Sequence, residues 1–384
     1  MKRQQNRRPL WAVALLAAAS VALWQWATVH ANFNGNWTAL YCTGSKQPQP
    51  SLVQQEHVYT FPHSFGYDGQ IYHYIAHDPF LRSDLKTYLD DPRLRYRRIL
   101  IPLLAYTMAF GNSRWIDPAY EFLFLVSIAC GVYWSCRVAL AAGLDARWGL
   151  LFLIMPATLV SMDRLVVDGT LAALTAGFLC YSRTPSWKLF TILAAAALTR
   201  ETGLLLVLAC VASLAWRREF RRVAIFLLSA APAVAWFLYV QTHATGGIYA
   251  MSPTPLFAIL RAFVSPLQYP AGTPFVGVVH AADYLALCGA LVAISAGLFY
   301  GGRLIDSPRF AAILLAVLAV LLQRIDLWQN VYGFGRIFTP LFLCLAYAAA
   351  RDRKIWLLAP TLMILPRIAI QLAPQLLGVL HWIA

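Results

Sequence analysis

Long apolar runs separated by short polar loops dominate this chain. The first run covers residues 10–29, and others fill most of residues 116–240 and 283–384. About 20 consecutive apolar residues are enough for a helix to cross the hydrocarbon core of a bilayer. The pattern predicts an all-α polytopic membrane protein, with a bundle of about ten transmembrane helices forming one membrane domain over residues 1–384.

Two longer polar stretches interrupt the apolar pattern. Residues 30–115 are predicted to form a first outer loop, and residues 241–282, which are rich in Pro and Gly, a second. Within the first loop, the apolar segment 99–110 is short for a span and favours an interfacial or re-entrant helix. A secretory signal cleaved after Ala31 is the alternative to a retained first span. The length of the first apolar run favours the retained span.

Composition supports the membrane class. Hydrophobic residues make up 60% of the 384 residues and charged residues 12%, and the mean hydropathy is +0.59. Soluble domains average about half apolar and a quarter charged residues. The seven cysteines form no Cys-x-x-Cys pair, and most lie in apolar runs. Neither a disulfide framework nor a zinc site is therefore expected.

The net charge of +14 indicates orientation rather than a nucleic-acid partner. Lys and Arg cluster in short loops between apolar runs, as the positive-inside rule expects of cytoplasmic loops. They do not follow one continuous surface, as they do in proteins that bind nucleic acid. The distribution predicts a cytoplasmic N-terminus and places the two long polar loops, with most of the acidic residues, on the outer face.

Residues 65–79 form a compact polar and aromatic segment with a single carboxylate at its centre, Asp68. The neighbouring glycines predict that Asp68 lies in a turn. A carboxylate can accept the proton of an attacking hydroxyl, so Asp68 is a candidate general base, although Asp-Gly is also a common structural turn. Its neighbours could bind a sugar by stacking and hydrogen bonding: Tyr67, Gln70, Tyr72 and His73.

An arginine cluster follows this segment. Residues 93–98 contain Arg93, Arg95, Arg97 and Arg98. The planar guanidinium group matches phosphate oxygens better than any other side chain, so these residues are candidates for binding a phosphorylated substrate. A basic belt that grips the head groups of membrane lipids would use the same attraction and remains an alternative.

Three further charged residues interrupt or border apolar segments. Arg200 and Glu201 break a hydrophobic stretch, where ionisable groups are costly enough to be functional candidates, although they could also neutralise each other. Arg336 lies at the predicted outer end of a late span. It could reach a substrate phosphate or extend to the membrane interface.

Metal-ligand candidates are few. Asp163 and Asp168 could hold a divalent cation, Mg²⁺ or Mn²⁺, or orient substrate together with Arg164. An Asp-Arg ion pair within this trio is the simpler interpretation. The histidines of the first outer loop form no metal-ligand spacing on a clear scaffold, so no metal site is predicted among His57, His63, His73 and His77.

The motif Phe65-Gly-Tyr-Asp-Gly-Gln-x-Tyr-x-x-Ile-Ala-x-Asp-Pro79, followed by Arg95-Tyr-Arg-Arg-Ile-Leu-Ile-Pro102, resembles the first outer loop of bacterial GT-C membrane glycosyltransferases. Its spacing is also similar to that of PIG-V-like mannosyltransferases. The resemblance covers about residues 10–240. It implies a GT-C-like bundle in the bacterial inner membrane, a periplasmic active site and a polyprenyl-phosphate sugar as donor.

By the same resemblance, the role of catalytic base falls on Asp68. Many GT-C members carry two adjacent acidic residues in this loop, whereas Asp68 is single. The only adjacent acidic pair here is Asp90-Asp91. The choice between Asp68 and this pair therefore stays open.

The leading hypothesis is a glycosyltransferase that acts on lipid-linked or glycan acceptors in cell-envelope polysaccharide biosynthesis. Asp68 would deprotonate the acceptor, and the arginines would hold the donor phosphate. A membrane transporter or lipid flippase is the alternative, with the break at Arg200 in its substrate path. A non-enzymatic scaffold for envelope assembly is a third.

Overall fold

The computed structural model describes residues 10–246, 254, 256–270, 275–300, 306–322 and 324–384. Helices dominate, which confirms the predicted all-α class. Within the described ranges, the only strands are β1 (Thr43–Gly44) and β2 (Thr60–Phe61), which form a short parallel pair. The N-terminal residues 1–9, which are predicted to be cytoplasmic, lie outside the described residues.

The α-helices are numbered in chain order. They are α1 Leu10–Phe33, α2 Ser51–Gln55, α3 Asp68–His77, α4 Pro92–Arg95, α5 Leu100–Met108, α6 Ser113–Ala141, α7 Pro156–Arg164, α8 Asp168–Tyr181, α9 Trp187–Thr199, α10 Gly203–Trp216, α11 Phe220–Leu227, α12 Ala231–His243, α13 Phe257–Val264, α14 Val276–Phe299, α15 Ser307–Leu321, α16 Ile325–Gln329, α17 Val331–Ile337, α18 Thr339–Asp352 and α19 Ala359–Ile383.

Among the described residues, five helical segments are long and apolar enough to cross a membrane, or up to seven if two bent pairs each count as one span. They are compatible with a multi-pass membrane protein, but the predicted count of about ten is not confirmed. The same residues include three shorter apolar helices of 10–17 residues, α9, α10 and α15.

One predicted boundary differs from the structure. The second outer loop, residues 241–282, contains α13 and the first turns of α14. The last helix continues to Ile383 although it contains Pro366 and Pro374. A proline removes one backbone donor without ending a helix that its neighbours support, so it is a weak stop signal in apolar segments.

The first helix packs along the bundle through small side chains. Ala14, Ala17 and Val21 of α1 are buried at spacings of three and four residues, which places them on one face. Helix α1 packs against α6 and also contacts α19. Small residues allow such close approach between helices in a membrane.

The segment between α1 and α6 folds into a layer of short helices and turns. Two 3₁₀ helices, Trp37–Tyr41 and Asp84–Tyr88, accompany α2 to α5. Helix α3 packs against α5 and against the first of these 3₁₀ helices. This layer holds α3, and with it Asp68, in a fixed position beside the bundle.

Two helix bends bring distant parts of the chain together. The 3₁₀ helix Ala146–Ile154 meets α7 at 55°, and α17 meets α18 at the same angle. The backbone N–H of Ala157 donates to Oγ1 of Thr339 at 2.9 Å, which ties the two bends to each other. Because α17 also packs on α7, residues of α17 reach the start of α8.

Candidate active site

Asp68 is the first residue of helix α3, so the predicted open turn is wrong at this residue. Gly66 turns the chain with a φ of +75°, a region that glycine adopts without strain. Tyr67 is then extended, and the helix begins. A carboxylate in the first turn of a helix is favoured by the helix dipole. The Asp-Gly signal thus marks a helix start here.

Gly69 is required by close packing rather than by backbone conformation. A Cβ at this position would lie 2.2 Å from the carbonyl oxygen of Arg164 and 2.7 Å from that of Tyr41. Backbone atoms cannot turn aside as a flexible side chain can. We expect Gly69→Ala to lower the free energy of unfolding by about 1–3 kcal/mol, measured by thermal unfolding in detergent.

Gly277 offers a matched control, because nothing lies within 4 Å of a Cβ there. Gly277→Ala should leave the melting temperature unchanged or slightly higher, since alanine is the better helix former. A Gly69→Ala protein that melts like the Gly277→Ala protein would contradict the close contact between α3 and its neighbours.

The carboxylate of Asp68 is held by two arginines. Arg336 of α17 donates to its Oδ2, and Nη1 of Arg95 lies 3.0 Å from the same oxygen. Each of these arginines also holds a second acid. Arg95 donates to both oxygens of Asp90, at 2.8 and 2.7 Å, and Arg336 donates to Asp168 at 3.1 Å. Arg95 and Arg336 therefore both contact Asp68, and each of them also binds a second carboxylate.

The environment keeps Asp68 ionised. Burial of this side chain, which is 16% exposed, would raise its pKa, but the guanidinium groups of Arg336, Arg95 and Arg98 outweigh the burial. They hold the pKa of Asp68 well below its usual range. Asp68 is therefore ready to accept a proton but is a weak base while both arginines remain on it.

Asp168 holds two arginines of this site by hydrogen bonds. It begins α8 and is 1% exposed, and it accepts from Arg200 as well as from Arg336. Arg200 lies in the break between α9 and α10, which was predicted as a polar interruption. Its neighbour Glu201 accepts from Arg98 at 3.0–3.2 Å. Arg200 and Glu201 therefore pair with different partners and not with each other.

Arg98 is also held by an aromatic hydroxyl. Its Nη1 donates to the hydroxyl of Tyr72 at 3.0 Å. The side chain of Arg98 is almost fully buried. Tyr72 therefore acts here as a hydrogen-bond partner of the arginine cluster rather than as an exposed platform for a sugar.

A cavity of about 330 Å³ opens beside Asp68. Arginines and acids from four parts of the chain line it together with leucine and isoleucine side chains. The described lining residues are Tyr67, Asp68, Arg95, Arg98, Arg200, Glu201, Thr202, Leu205, Leu318, Leu322, Arg324, Asp326, Leu327, Asn330, Gly333, Arg336 and Ile337. We call this space the arginine cavity. Its walls suit a ligand that is anionic at one end and apolar at the other.

A second, smaller cavity of about 150 Å³ also borders Asp68. Its described lining is mostly aromatic and polar: Gln47, Pro48, Phe65, Gly66, Tyr67, Asp68, Gln70, Ile71, Tyr74, Tyr88, Asp90 and Arg95. We call it the aromatic cavity. Tyr67, Asp68 and Arg95 line both spaces. The carboxylate therefore has a cationic space and an aromatic space beside it.

The ring of Tyr67 contacts two arginines, of which only Arg336 lines the arginine cavity. The guanidinium groups of Arg164 and Arg336 lie 4.7 and 4.8 Å from the centre of its ring. Arg164 pairs with the adjacent Asp163 at 3.1 Å and does not line either cavity. Asp163 and Arg164 thus support Tyr67, and the carboxylates of Asp163 and Asp168 are held by different arginines.

Other predicted site residues contact neighbouring parts of the protein and do not line the arginine cavity. Arg97 lies over the ring of Phe237 at 5.3 Å, and Arg93 donates to the carbonyl of Ala244. Gln70 lines the aromatic cavity and bridges two backbone segments, donating to Phe65 and accepting from Gly44. Only Arg95 and Arg98 of the four-arginine cluster line the arginine cavity.

His73 lines neither described cavity. It is buried on α3 one turn before His77, and Glu56 lies against both rings. The expectation that the histidines of this region share no scaffold is therefore wrong for His73 and His77. Residues four apart on a helix lie on one face, and that spacing was the available signal.

Comparisons with protein-family models, curated proteins and solved structures give no match to this chain. The resemblance of residues 65–79 and 95–102 to GT-C enzymes therefore stays a hypothesis. Arguments about function below rest on the two cavities and on the charged residues between them.

Proposed function

We propose that this chain is an integral membrane glycosyltransferase of the GT-C type. It moves a sugar from a polyprenyl-phosphate donor to a lipid-linked or cell-envelope glycan acceptor on the periplasmic face of the bacterial inner membrane. Asp68 is the general base. The observation that carries the proposal is the position of Asp68 between the arginine cavity and the aromatic cavity.

The arginine cavity suits the donor. Arg95, Arg98, Arg200 and Arg336 reach it from three distant parts of the chain, and guanidinium groups match phosphate oxygens in bidentate geometry. Leucine and isoleucine side chains that line the same cavity suit the first isoprene units. A soluble phosphate ester would have no use for them, so a lipid-linked phosphate is the better fit.

The aromatic cavity suits the acceptor. Sugars present apolar faces that stack on aromatic rings and hydroxyls that bond to polar side chains. Tyr67, Tyr74, Tyr88 and Gln70 supply both kinds of group. An acceptor hydroxyl in this space lies next to Asp68. The carboxylate would then be within reach of the proton to be removed.

The proposed reaction is a single displacement. The acceptor oxygen attacks the anomeric carbon, its proton passes to a carboxylate oxygen of Asp68, and the bond from the anomeric carbon to the phosphate oxygen breaks. The polyprenyl phosphate leaves with the bond electrons, and Arg336 and Arg95 stabilise its additional charge. The anomeric configuration inverts, because attack and departure occur on opposite faces.

The arginines link donor binding to the basicity of Asp68. When a phosphate takes over the hydrogen bonds of Arg336 and Arg95, the attraction that depresses the pKa of Asp68 is shared with a second anion. The pKa of Asp68 then rises towards its usual range, and its power as a base increases. Asp68 becomes a better base only once the donor is bound.

This link predicts a difference between two pH profiles. Activity falls as the pH drops through the pKa of a base, and kcat/KM reports the free enzyme whereas kcat reports the donor complex. Burial raises the pKa of Asp68, but the arginines lower it more, to well below its usual value. The acid limb of kcat should therefore lie at higher pH than that of kcat/KM. If the acid limbs of kcat and kcat/KM coincide in a steady-state pH series, the proposed link between donor binding and the pKa of Asp68 is contradicted.

Asp90 and Asp91 remain the alternative base, and their surroundings differ. Asp91 accepts from the backbone N–H of Leu94 and so caps α4. Asp90 lines the aromatic cavity with a side chain that is 51% exposed, and Arg95 binds both of its oxygens. Asp90 is thus the member of the pair that could reach an acceptor, whereas Asp91 has a structural role.

A transfer assay tests the proposal. Purified protein in phospholipid vesicles is incubated with radiolabelled polyprenyl-phosphate sugars and an envelope glycan acceptor. We expect label in a new glycoconjugate. A transporter or flippase would move labelled lipid between leaflets without forming one, and that result would contradict the proposal.

A further inference from the structure

A second cluster of titratable side chains lies on the other side of α3. His73 and His77 are four residues apart on this helix, Glu56 follows α2, and Asp117 is in the first turns of α6. The proposed glycosyl transfer uses none of Glu56, His77 and Asp117. Three chain segments therefore bring two imidazoles and two carboxylates to one place, and that donor set is typical of a metal site.

The ligand atoms of Glu56, His73 and His77 all lie within 4.8 Å of one another, close enough to share one ion, and Asp117 approaches both histidines. Nε2 of His73 lies 3.1 Å from Oδ1 of Asp117 and 3.5 Å from Oε2 of Glu56. Nε2 of His77 lies 3.5 Å from the same oxygen of Glu56 and 3.9 Å from that of Asp117. Metal–ligand bonds of about 2.0–2.1 Å in a tetrahedron separate the ligand atoms by about 3.3 Å. The four distances bracket that value.

The donor atoms are buried, and the contacts among them are ion pairs only when a histidine is protonated. The side chains of His73 and His77 are 0% and 4% exposed. Within the described part of the chain, no hydrogen bond of acceptable geometry reaches Nε2 of either histidine, Oε2 of Glu56 or Oδ1 of Asp117. Buried polar atoms in that state are costly. A shared central ion would satisfy these atoms without a protonated histidine.

We propose that Glu56, His73, His77 and Asp117 form a structural metal site, with Zn²⁺ as the best-fitting ion. Imidazole nitrogen and carboxylate oxygen in a four-ligand set suit Zn²⁺, whereas Mg²⁺ demands octahedral oxygen ligands and several waters. Four protein ligands leave no open position for a reacting molecule. The ring of Tyr41 stacks on His73 at 4.3 Å and fixes its plane.

The metal site would influence the proposed transfer reaction only by fixing the position of α3. It connects α3, which begins with Asp68, to the outer end of α6 and to the end of α2. A metal at this point would hold the helix that presents Asp68 against the bundle. The inference does not depend on the proposed transferase activity, since metal binding is measured without any substrate.

A protonated histidine is the competing arrangement. Burial lowers the pKa of His73, but Asp117 and Glu56 outweigh it and raise the pKa to about 9. An imidazolium held by two carboxylates would then occupy the same space without a metal. The two arrangements predict opposite results in a metal analysis.

The test is the metal content of the full-length protein, purified in detergent without chelator and measured by plasma mass spectrometry. We expect about one Zn²⁺ per chain in the wild type, and loss of most of it in His77→Gln and Glu56→Gln. His381→Gln, which changes an exposed histidine of α19, is the matched control and should keep the metal. Wild-type protein without metal, or variants that keep it, would overturn the proposal.

Cobalt gives a second measurement that does not depend on how the variants fold. Wild-type protein stripped with chelator and loaded with Co²⁺ should show the intense visible absorption of a tetrahedral Co²⁺ site, and ZnCl₂ should abolish it. ZnCl₂ should also raise the melting temperature of stripped wild-type protein by mass action, more than MgCl₂ does. Weak octahedral absorption, or equal effects of the two salts, would overturn the assignment.

Discussion

Replacing Asp68 with Asn is expected to reduce sugar transfer by about 10²–10⁴-fold, the usual contribution of a general base. Asparagine has nearly the same shape but cannot take the acceptor proton. It also no longer competes with a phosphate for Arg336 and Arg95. We therefore expect donor binding to be unchanged or tighter while turnover is lost, which a purely structural role of Asp68 would not produce.

The controls for this variant lie in the same segment, between α1 and α6. Asp84→Asn removes an exposed carboxylate and should leave transfer unchanged. Asp90→Asn should lower transfer less than Asp68→Asn, because Asp90 acts by holding Arg95. Steady-state transfer rates together with donor binding by the three proteins separate the possibilities. A larger loss in Asp90→Asn than in Asp68→Asn would move the role of base to Asp90.

Replacing Arg336 with Gln is expected to have the largest effect on stability. Arg336 bridges Asp68 and Asp168, and its removal leaves two buried carboxylates short of a partner. Breaking a buried ion pair in this way costs about 3–5 kcal/mol. The same change removes a guanidinium from the arginine cavity, so donor affinity should also fall. Thermal unfolding and donor binding on one sample measure both effects.

Arg324 provides the matched control in the same cavity. It pairs with Asp326, and both side chains are exposed, at 46% and 64%. Exposed pairs contribute about 0–1 kcal/mol, so Arg324→Gln should change the melting temperature little. The double variant Asp68→Asn with Arg336→Gln should recover part of the lost stability, because the charges then match again. If the stability losses of the two single variants simply add in the double variant, direct coupling of Asp68 and Arg336 is contradicted.

The apolar pattern predicted the helical class well, because burial in a bilayer needs long runs that are visible in the sequence. The break between α9 and α10 was also correctly located, since Arg200 and Glu201 stand out against apolar neighbours. The predicted number of about ten spans is not confirmed, because α9, α10 and α15 are apolar but short. Hydropathy alone does not separate a short span from a buried helix.

Several candidates from distant segments line the same cavity, among them Asp68, Arg95, Arg200 and Arg336. The residue type was the guide, because guanidinium and carboxylate groups in an apolar chain are costly unless they are paired or used. Their pairing could not be predicted, since Arg336 and Asp68 are 268 positions apart and no local pattern links them. Asp168 was considered as a cation ligand with Asp163 but instead bridges Arg200 and Arg336.

The histidine cluster was missed for the same reason. The four-residue spacing of His73 and His77 becomes informative only once residues 68–77 are known to be helical. An Asp-Gly pair followed by a mixed polar and aromatic segment favoured a turn. The other members of the cluster, Glu56 and Asp117, are supplied by other segments that tertiary packing brings to α3.

Single-turnover transfer from pre-bound donor tests the central claim most directly. Wild-type and Asp68→Asn proteins are loaded with radiolabelled polyprenyl-phosphate sugar, freed of unbound donor and then mixed with acceptor. We predict rapid transfer of the label by the wild type, and a donor that stays bound and intact in Asp68→Asn. Transfer by Asp68→Asn at the wild-type rate would contradict the assignment of Asp68 as the base.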